Sequence, residues 1–272
     1  MGLILLALPL AVLEIGLRVA GIGGSLIYVE DPNCGYRPAP DQQFATMGHP
    51  IQILTNGFRG PPATNAVLIV GDSVTYGTAY LPDTATFPAL LGAANAGVNG
   101  WGLQNMAGFL RHEDLRGYRT VVWAVAECDM LRPFMHLRGG LISTNRRMWL
   151  RLEYLWRFIW YGFVRPPPAL QPASYETNWQ AVVDTARDLE SRGVGLLVVF
   201  IPSRETSLGR TTVEGPYFQR MIADAATSGV PHIVAAAKGD PQVLFRDQAH
   251  LTPAGSRWLA DLIGARLDAA PR

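Results

Sequence analysis

The chain has 272 residues, 49% of them hydrophobic and 17% charged, with a formal net charge of +1. That length supports one substantial domain with extensions rather than two. The near-neutral balance, with no basic run and no zinc-ligand spacing, argues against nucleic acid as a partner and gives no sign of a metal centre.

The first segment, MGLILLALPLAVLEIGLRVAGIGG, has no charged side chain before Glu14. An apolar run to Leu13 covers about 20 Å at 1.5 Å per residue, short of a hydrocarbon core of about 30 Å. Continuing to Ile22 brings it to about 20 residues, with Glu14 and Arg18 as an i,i+4 pair at the interface and the arginine snorkelling. The pattern predicts an uncleaved single-span anchor over 1–27. A cleaved signal peptide and a buried core helix are the alternatives, although a basic n-region and an A-x-A site are missing. The missing n-region also leaves room for an earlier start. Arg18 alone does not set the orientation.

Residues 28–65 are rich in Pro, Gly and Asn ("DPNCGYRPAP", "NGFRGPPATN") and predict an extended arm leading into a domain over 66–272. From Ala66 the pattern changes. "AVLIV" (66–70), "TVVWAVA" (120–126), "VGLLVVFI" (194–201) and "HIVAAA" (232–237) are short apolar runs of the kind found in parallel strands covered on both faces. "AANAG" (93–97) is a weaker strand candidate. Between them lie amphipathic helices: one carries Trp179, Val182, Val183, Ala186 and Leu189 and stops at Gly193, another carries Phe218, Ile222 and Ala225 and stops at Gly229. The last helix begins with Thr252 as N-cap and Pro253 at its first position. Such alternation implies a doubly wound α/β fold around a parallel sheet.

Residues 145–168, NRRMWLRLEYLWRFIWYGFVRPPP, break that regularity with three tryptophans, two tyrosines, two phenylalanines and five arginines. An aromatic packing helix is one reading. The other is an interfacial helix lying on a bilayer or lidding a site, because aromatics and arginine favour the headgroup region.

In open parallel sheets ligands bind beyond the carboxyl ends of the strands. Ser73, in "VLIVGDSVTYG", falls there, at the head of a helix whose unpaired N–H groups favour negative charge. By itself the turn also fits an N-cap serine. The far end of the chain supplies what a nucleophile needs: Asp247 and His250 stand three apart before a well-capped helix, one to orient and the other to act as base. His49, His112, His136 and His232 have no comparable setting. Cys34 and Cys128 can form one bridge at most.

Over residues 54–268 the chain resembles the SGNH (GDSL) hydrolases. Gly71-Asp72-Ser73 matches their first block, "NAGVNGWG" resembles the second, and Asp247 with His250 matches the last. The arm, through Gly35-Tyr36-Arg37 and Asn56-Gly57-Phe58-Arg59-Gly60, resembles membrane-anchored bacterial members. The resemblance implies a flavodoxin-like three-layer α/β/α fold with a central sheet of about five parallel strands. It implies Ser73 as nucleophile, His250 as base and Asp247 as its partner, with the N–H groups of Ser73 and Gly97 as the oxyanion hole. Asp72 braces the turn and Asp129 supports the site. The family's Gly-x-Asn-Asp block reads Ala126-Glu127-Cys128-Asp129 here, so Cys128, a weak donor, replaces the oxyanion-hole asparagine. Loss of one such donor costs about 10²–10³ in rate. A slow enzyme, another side chain filling the role and an inactive binding protein are the three readings of that change.

The resemblance further implies a serine esterase removing O-acyl groups, above all O-acetyl, from a cell-surface glycan, needing no metal or organic cofactor. An O-acyltransferase, a lipid esterase with 145–165 as its membrane-facing lid, and a glycan-binding or assembly module are the alternatives. The expected location is the bacterial cytoplasmic membrane, single-pass, with the catalytic domain facing the periplasm or the cell exterior.

Overall fold

A computed structural model describes residues 2–137, 144–164, 170–236 and 239–269. Helix α1 (Gly2–Val19) ends where Gly21 adopts φ +66° and the N–H groups of Gly21 and Ile22 donate to the carbonyls of Arg18 and Leu17. Those two bonds satisfy carbonyls that a last helical turn leaves open. Among the described residues no helix is long and apolar enough to cross a membrane. The transmembrane helix expected over 1–27 therefore finds no support in the fold: α1 closes after 18 residues, about 27 Å of rise.

The arm is not extended. It folds into two antiparallel hairpins, β1 (Tyr28–Asp31) with β2 (Gly35–Pro38) and β3 (Gln42–Thr46) with β4 (His49–Ile53). Tyr28, Tyr36, Ile51, Ile53 and Phe58 are buried in the same core cluster as the sheet. Turn-forming residues between these short strands mask their alternation, so composition alone reads the segment as a linker.

The alternating part then runs β5 (Val67–Gly71), α2 (Ser73–Tyr76), α3 (Phe87–Leu90), β6 (Ala94–Gly97), α4 (Leu103–His112) and β7 (Thr120–Ala126). It continues through α5 (Arg151–Ile159), α6 (Tyr175–Ser191), β8 (Gly195–Ile201), α7 (Arg204–Ser207), α8 (Gly215–Thr227), β9 (His232–Val234), α9 (Pro241–Leu244) and α10 (Pro253–Asp268). Five strands form one parallel sheet in the order β6-β5-β7-β8-β9. Their alternation divides the core in two. Leu68, Val70, Val121, Trp123, Val125, Val198 and Phe200 pack toward α4, α6 and α8, whereas Ile69, Val122, Ala124, Val199 and Ile201 pack toward α3, α9 and α10. Both faces are covered, which is why the strands read as unbroken apolar runs.

Local signals hold closely at the helix ends. The Thr252 hydroxyl accepts from Gly255 N–H with Pro253 at the first position, and Gly193 and Gly229 both take positive φ. The last strand is shorter than its apolar run, ending at Val234, and Ala237 lies outside the described residues. Of 145–168, α5 covers 151–159 and a π-turn covers 160–164; residues 165–168 lie outside the described residues. No residue of α5 is fully buried, and Trp156, Phe158 and Ile159 are exposed. The predicted Arg18–Glu14 ion pair forms at 2.6 Å. The Glu14 carboxylate also accepts from the N–H groups of Arg151 (3.0 Å) and Leu152 (2.9 Å), which caps α5 with a negative charge.

One buried cation ties the arm to the loop that follows α2. Arg59, whose side chain is fully inaccessible, donates from Nε to Asp83 at 2.8 Å and from its Nη atoms to the carbonyls of Tyr76, Thr78 and Leu81. Its backbone N–H donates to the Asn95 carbonyl of the edge strand β6. Removing one partner of a buried pair leaves the other charge and its acceptors stranded. Arg59→Met is expected to lower the unfolding free energy by about 3–5 kcal/mol, read from urea denaturation. A change below about 1 kcal/mol would mean that the loop is held by other contacts.

Candidate active site

Because β6 and β7 flank β5 on opposite sides, the switch point of the sheet lies at the carboxyl end of β5. Ser73 starts α2 there. The Asp72 side chain caps this short helix, its Oδ1 accepting from Val74 N–H at 2.8 Å, and Gly77 at φ +85° closes it. The turn sits so close to the sheet that two strand ends must be glycine. A Cβ on Gly71 would lie 2.1 Å from Thr75 Oγ1, and one on Gly97 2.3 Å from Tyr76 N.

The second piece arrives from the loop before α10. Asp247 Oδ1 accepts from the N–H groups of Ala249 (3.0 Å) and His250 (2.9 Å), and the turn is closed by Arg246 N–H donating to the His250 carbonyl at 2.8 Å. His250 Nδ1 lies 2.8 Å from Asp247 Oδ2, and His250 Nε2 lies 2.9 Å from Ser73 Oγ. Burial works to raise the Asp247 pKa, but the His250 N–H, the His250 ring and the Ala249 N–H outweigh it, and the carboxyl is held below its usual range. An ionised Asp247 can only accept, so Nδ1 carries the proton and Nε2 offers its lone pair to Ser73. The sequence separates these residues by 177 positions, and the fold brings them together.

Behind the serine lies a charged cluster of Asp72, Cys128, Asp129 and Arg132. Asp72 Oδ2 stands 3.3 Å from Ser73 Oγ and 3.3 Å from Arg132 Nη1. Arg132 also pairs with Asp129 at 2.9 Å and donates to the Trp101 carbonyl at 2.7 Å. Burial favours a neutral arginine, yet Asp129 and Asp72 together raise its pKa and keep it charged. Asp129 is wholly buried, and burial followed by the neighbouring Asp72 pushes its carboxyl well up; its Oδ2 accepts from Ala126 N–H at 3.2 Å. One ligand atom each of Asp72, Cys128 and Asp129 fall within 4.8 Å of one another, and Arg132 already supplies positive charge there.

Two expectations change. Gly97 is needed for close approach, but its N–H donates to Asn95 Oδ1 at 3.0 Å and is not free to hold an oxyanion. Cys128 Sγ lies 3.9 Å from Asp72 Oδ2 and 3.4 Å from Arg132 Nη2, so the thiol is engaged inside the charged cluster. Burial, Asp129 and Asp72 raise its pKa well above the thiol range. Both Cys34 and Cys128 are free thiols. His112 and His232 bond to local carbonyls through Nδ1, and His136 packs on Phe134, in keeping with structural roles.

Arg132 and Tyr80 were missed by sequence reasoning. Arg132 could have been suspected from its i,i+3 spacing to Asp129. Tyr80, whose ring stands edge-on to His250 at 6.1 Å, carries no local signal at all.

The chain has the fold of the SGNH (GDSL) hydrolases, with its serine and its Asp-x-x-His turn meeting at the sheet's switch point. Among curated proteins it is similar to the "Probable alginate O-acetylase AlgJ" of Pseudomonas aeruginosa, 26% identical over 206 residues, which is 66% of this chain and 51% of that protein. The chain thus spans about half the length of this curated relative. Among solved structures it is similar to the acetylxylan esterase Axe2 of Geobacillus stearothermophilus, at TM-score 0.50 and 12% identity over 77% of this chain and 96% of that one. It is similar too to a member of the lipolytic G-D-S-L family from Veillonella parvula, at TM-score 0.47 and 12% identity over 75% and 98% of the two chains. No family model matches the chain.

The depressed Asp247 pKa gives a pH dependence with a definite sign. A carboxyl whose folded value lies below its unfolded value of about 3.9 adds stability that is full above it and is lost as pH falls through the folded value. Thermal midpoints of the wild type should therefore drop more steeply below about pH 4 than those of Asp247→Asn. Parallel curves would remove Asp247 from the acid limb.

Proposed function

We propose that the protein is a serine-dependent enzyme of O-acyl groups on glycans, an esterase in the first reading. One observation carries it: the Ser73–His250–Asp247 relay, with contacts of 2.9 and 2.8 Å. Ser73 Oγ passes its proton to His250 Nε2 as it bonds to the acyl carbon, and the carbonyl electrons move to the oxygen. When the C–O bond to the sugar breaks, His250 returns that proton to the departing alkoxide. Water then attacks the acyl-serine with His250 as base, releasing the acid and restoring Ser73.

With Gly97 N–H engaged, the oxyanion donors are the N–H of Ser73 and that of Gly100. Gly100 has φ +83°, lies in the loop after β6, and its N–H makes no hydrogen bond among the described residues. Trp101, next to it, is tied through Arg132 to Asp72, which keeps that loop beside the serine. The likeness to an O-acetylase supports an acyltransferase as the second reading, in which an acceptor hydroxyl replaces water.

The location belongs to the same proposal: a domain outside the bacterial cytoplasmic membrane, held to it by α1 as a single-pass anchor, with α5 at the surface. Leu8, Val12, Ile15 and Val19 of α1 and Trp156, Phe158 and Ile159 of α5 are exposed, and Glu14 fastens the two helices together. Aromatic residues beside an apolar helix suit the headgroup layer.

Two measurements test this reading. The full chain in mild detergent should be labelled by a fluorophosphonate at one site, seen by intact mass, and Ser73→Ala should abolish the label. A folded wild type that stays unlabelled would overturn the serine mechanism. The full chain should also remain with the membrane fraction after alkaline carbonate extraction, and complete release would overturn the anchor.

A further inference from the structure

We propose that Arg246, stacked on Tyr80, forms a carboxylate-binding subsite that selects esters carried by an acidic glycan. This deepens the functional reading above and rests on it.

The Arg246 guanidinium carbon lies 3.8 Å from the centroid of the Tyr80 ring, and that ring stands edge-on to His250 at 6.1 Å. The three groups form a continuous row from the base to an exposed cation. Arg246 has no carboxylate partner among the described residues, and its neighbour Asp247 is occupied by His250 and Ala249. A guanidinium lying flat on a ring keeps its edge N–H groups free to fork onto a carboxylate, and stacking removes part of the entropy cost of holding it there.

Both members are fixed by the same devices that fix the site. Arg246 N–H donates to the His250 carbonyl, and Phe245 bridges Leu251, so Arg246 and His250 are cross-strand neighbours on one turn. Tyr80 sits in the loop held by Arg59, where Thr78 takes φ +47° while its carbonyl accepts from Arg59 Nη1 at 2.6 Å. A non-glycine residue in the left-handed region persists only where its surroundings enforce it.

Position decides which part of the substrate the row meets. His250 must hand its proton to the departing alkoxide, so the alcohol side of the ester lies at His250. Tyr80 and Arg246 extend from that histidine. Arg246 therefore faces the sugar and not the acyl group. Of the anionic groups a sugar unit can carry, a carboxylate offers the two coplanar oxygens that a guanidinium fork matches.

The test uses the full-length Ser73→Ala protein, which can bind an ester without turning it over. The probes are an O-acetylated oligouronate and the same oligomer with its carboxyls reduced to alcohols. Calorimetry should give about tenfold tighter binding of the acidic probe, falling with added salt. Arg246→Gln should abolish that preference, and Arg246→Lys should keep part of it, having the charge but not the planar fork. Equal affinity for the two probes, no binding of either, or a preference that survives Arg246→Gln would each overturn the subsite. Fluorophosphonate labelling of the wild type is read separately, so a failed subsite and a failed serine mechanism are told apart.

Discussion

The site depends on how closely the turn carrying Ser73 is pressed onto the ends of three strands. Gly71 has Thr75 Oγ1 and the Ala124 carbonyl where a Cβ would be, and Gly97 has the backbone of Thr75 and Tyr76. With any side chain at either place, α2 would lift off the sheet. The serine would then leave the plane at which the Asp247–His250 turn arrives. The same closeness explains why the Gly97 N–H is paired rather than open toward the serine: it is buried between strand and turn, and a buried donor must be paired, here by Asn95. Steric need and chemical role, which a shared glycine motif tends to merge, are separate at this residue.

Bringing Asp72 so near the reacting oxygen has an electrostatic consequence. A carboxylate 3.3 Å from Ser73 Oγ opposes negative charge gathering nearby, and Arg132 on its other side offsets it. Arg132 also faces Asp129, and a carboxyl pushed upward by burial is the expected outcome where two acids share one cation. In such a setting the Cys128 thiol stays neutral, which removes it as a nucleophile as well as weakening it as a donor. Its position between Asp72 and Arg132 makes it part of the cluster's packing, and the smaller, less polar side chain leaves the charges to pair with one another.

Much of this was legible before the fold was known, and unevenly so. The parallel strands were visible because both faces are covered, and helix ends were visible because Thr252, Gly193 and Gly229 act through local geometry. Ser73, Asp247 and His250 could be named because the two short blocks carry their own turns. The hairpins of residues 28–53 were not legible, since strands of four or five residues interrupted by Pro and Gly give no period to read. Arg132 was legible only in its i,i+3 spacing to Asp129, and Tyr80 and Arg246 were not legible for a different reason. Their partners come from separate elements, and nothing in the spacing of a chain records that a guanidinium will land on a distant ring.

The parts that sequence hides are also the parts that adapt the site. In the first hairpin the Tyr36 hydroxyl donates to the Asn99 carbonyl and the Tyr36 carbonyl accepts from Trp101 Nε1, so the arm carries the loop that borders the serine. Arg59 of the same arm sets the loop bearing Tyr80. The sheet and its two motif blocks thus place Ser73 against His250, whereas the arm and the loops it braces form the surroundings of that pair. Likeness to a relative in strands and motif blocks therefore does not carry that relative's specificity to this chain, because the contacts around Ser73 and His250 lie largely outside both.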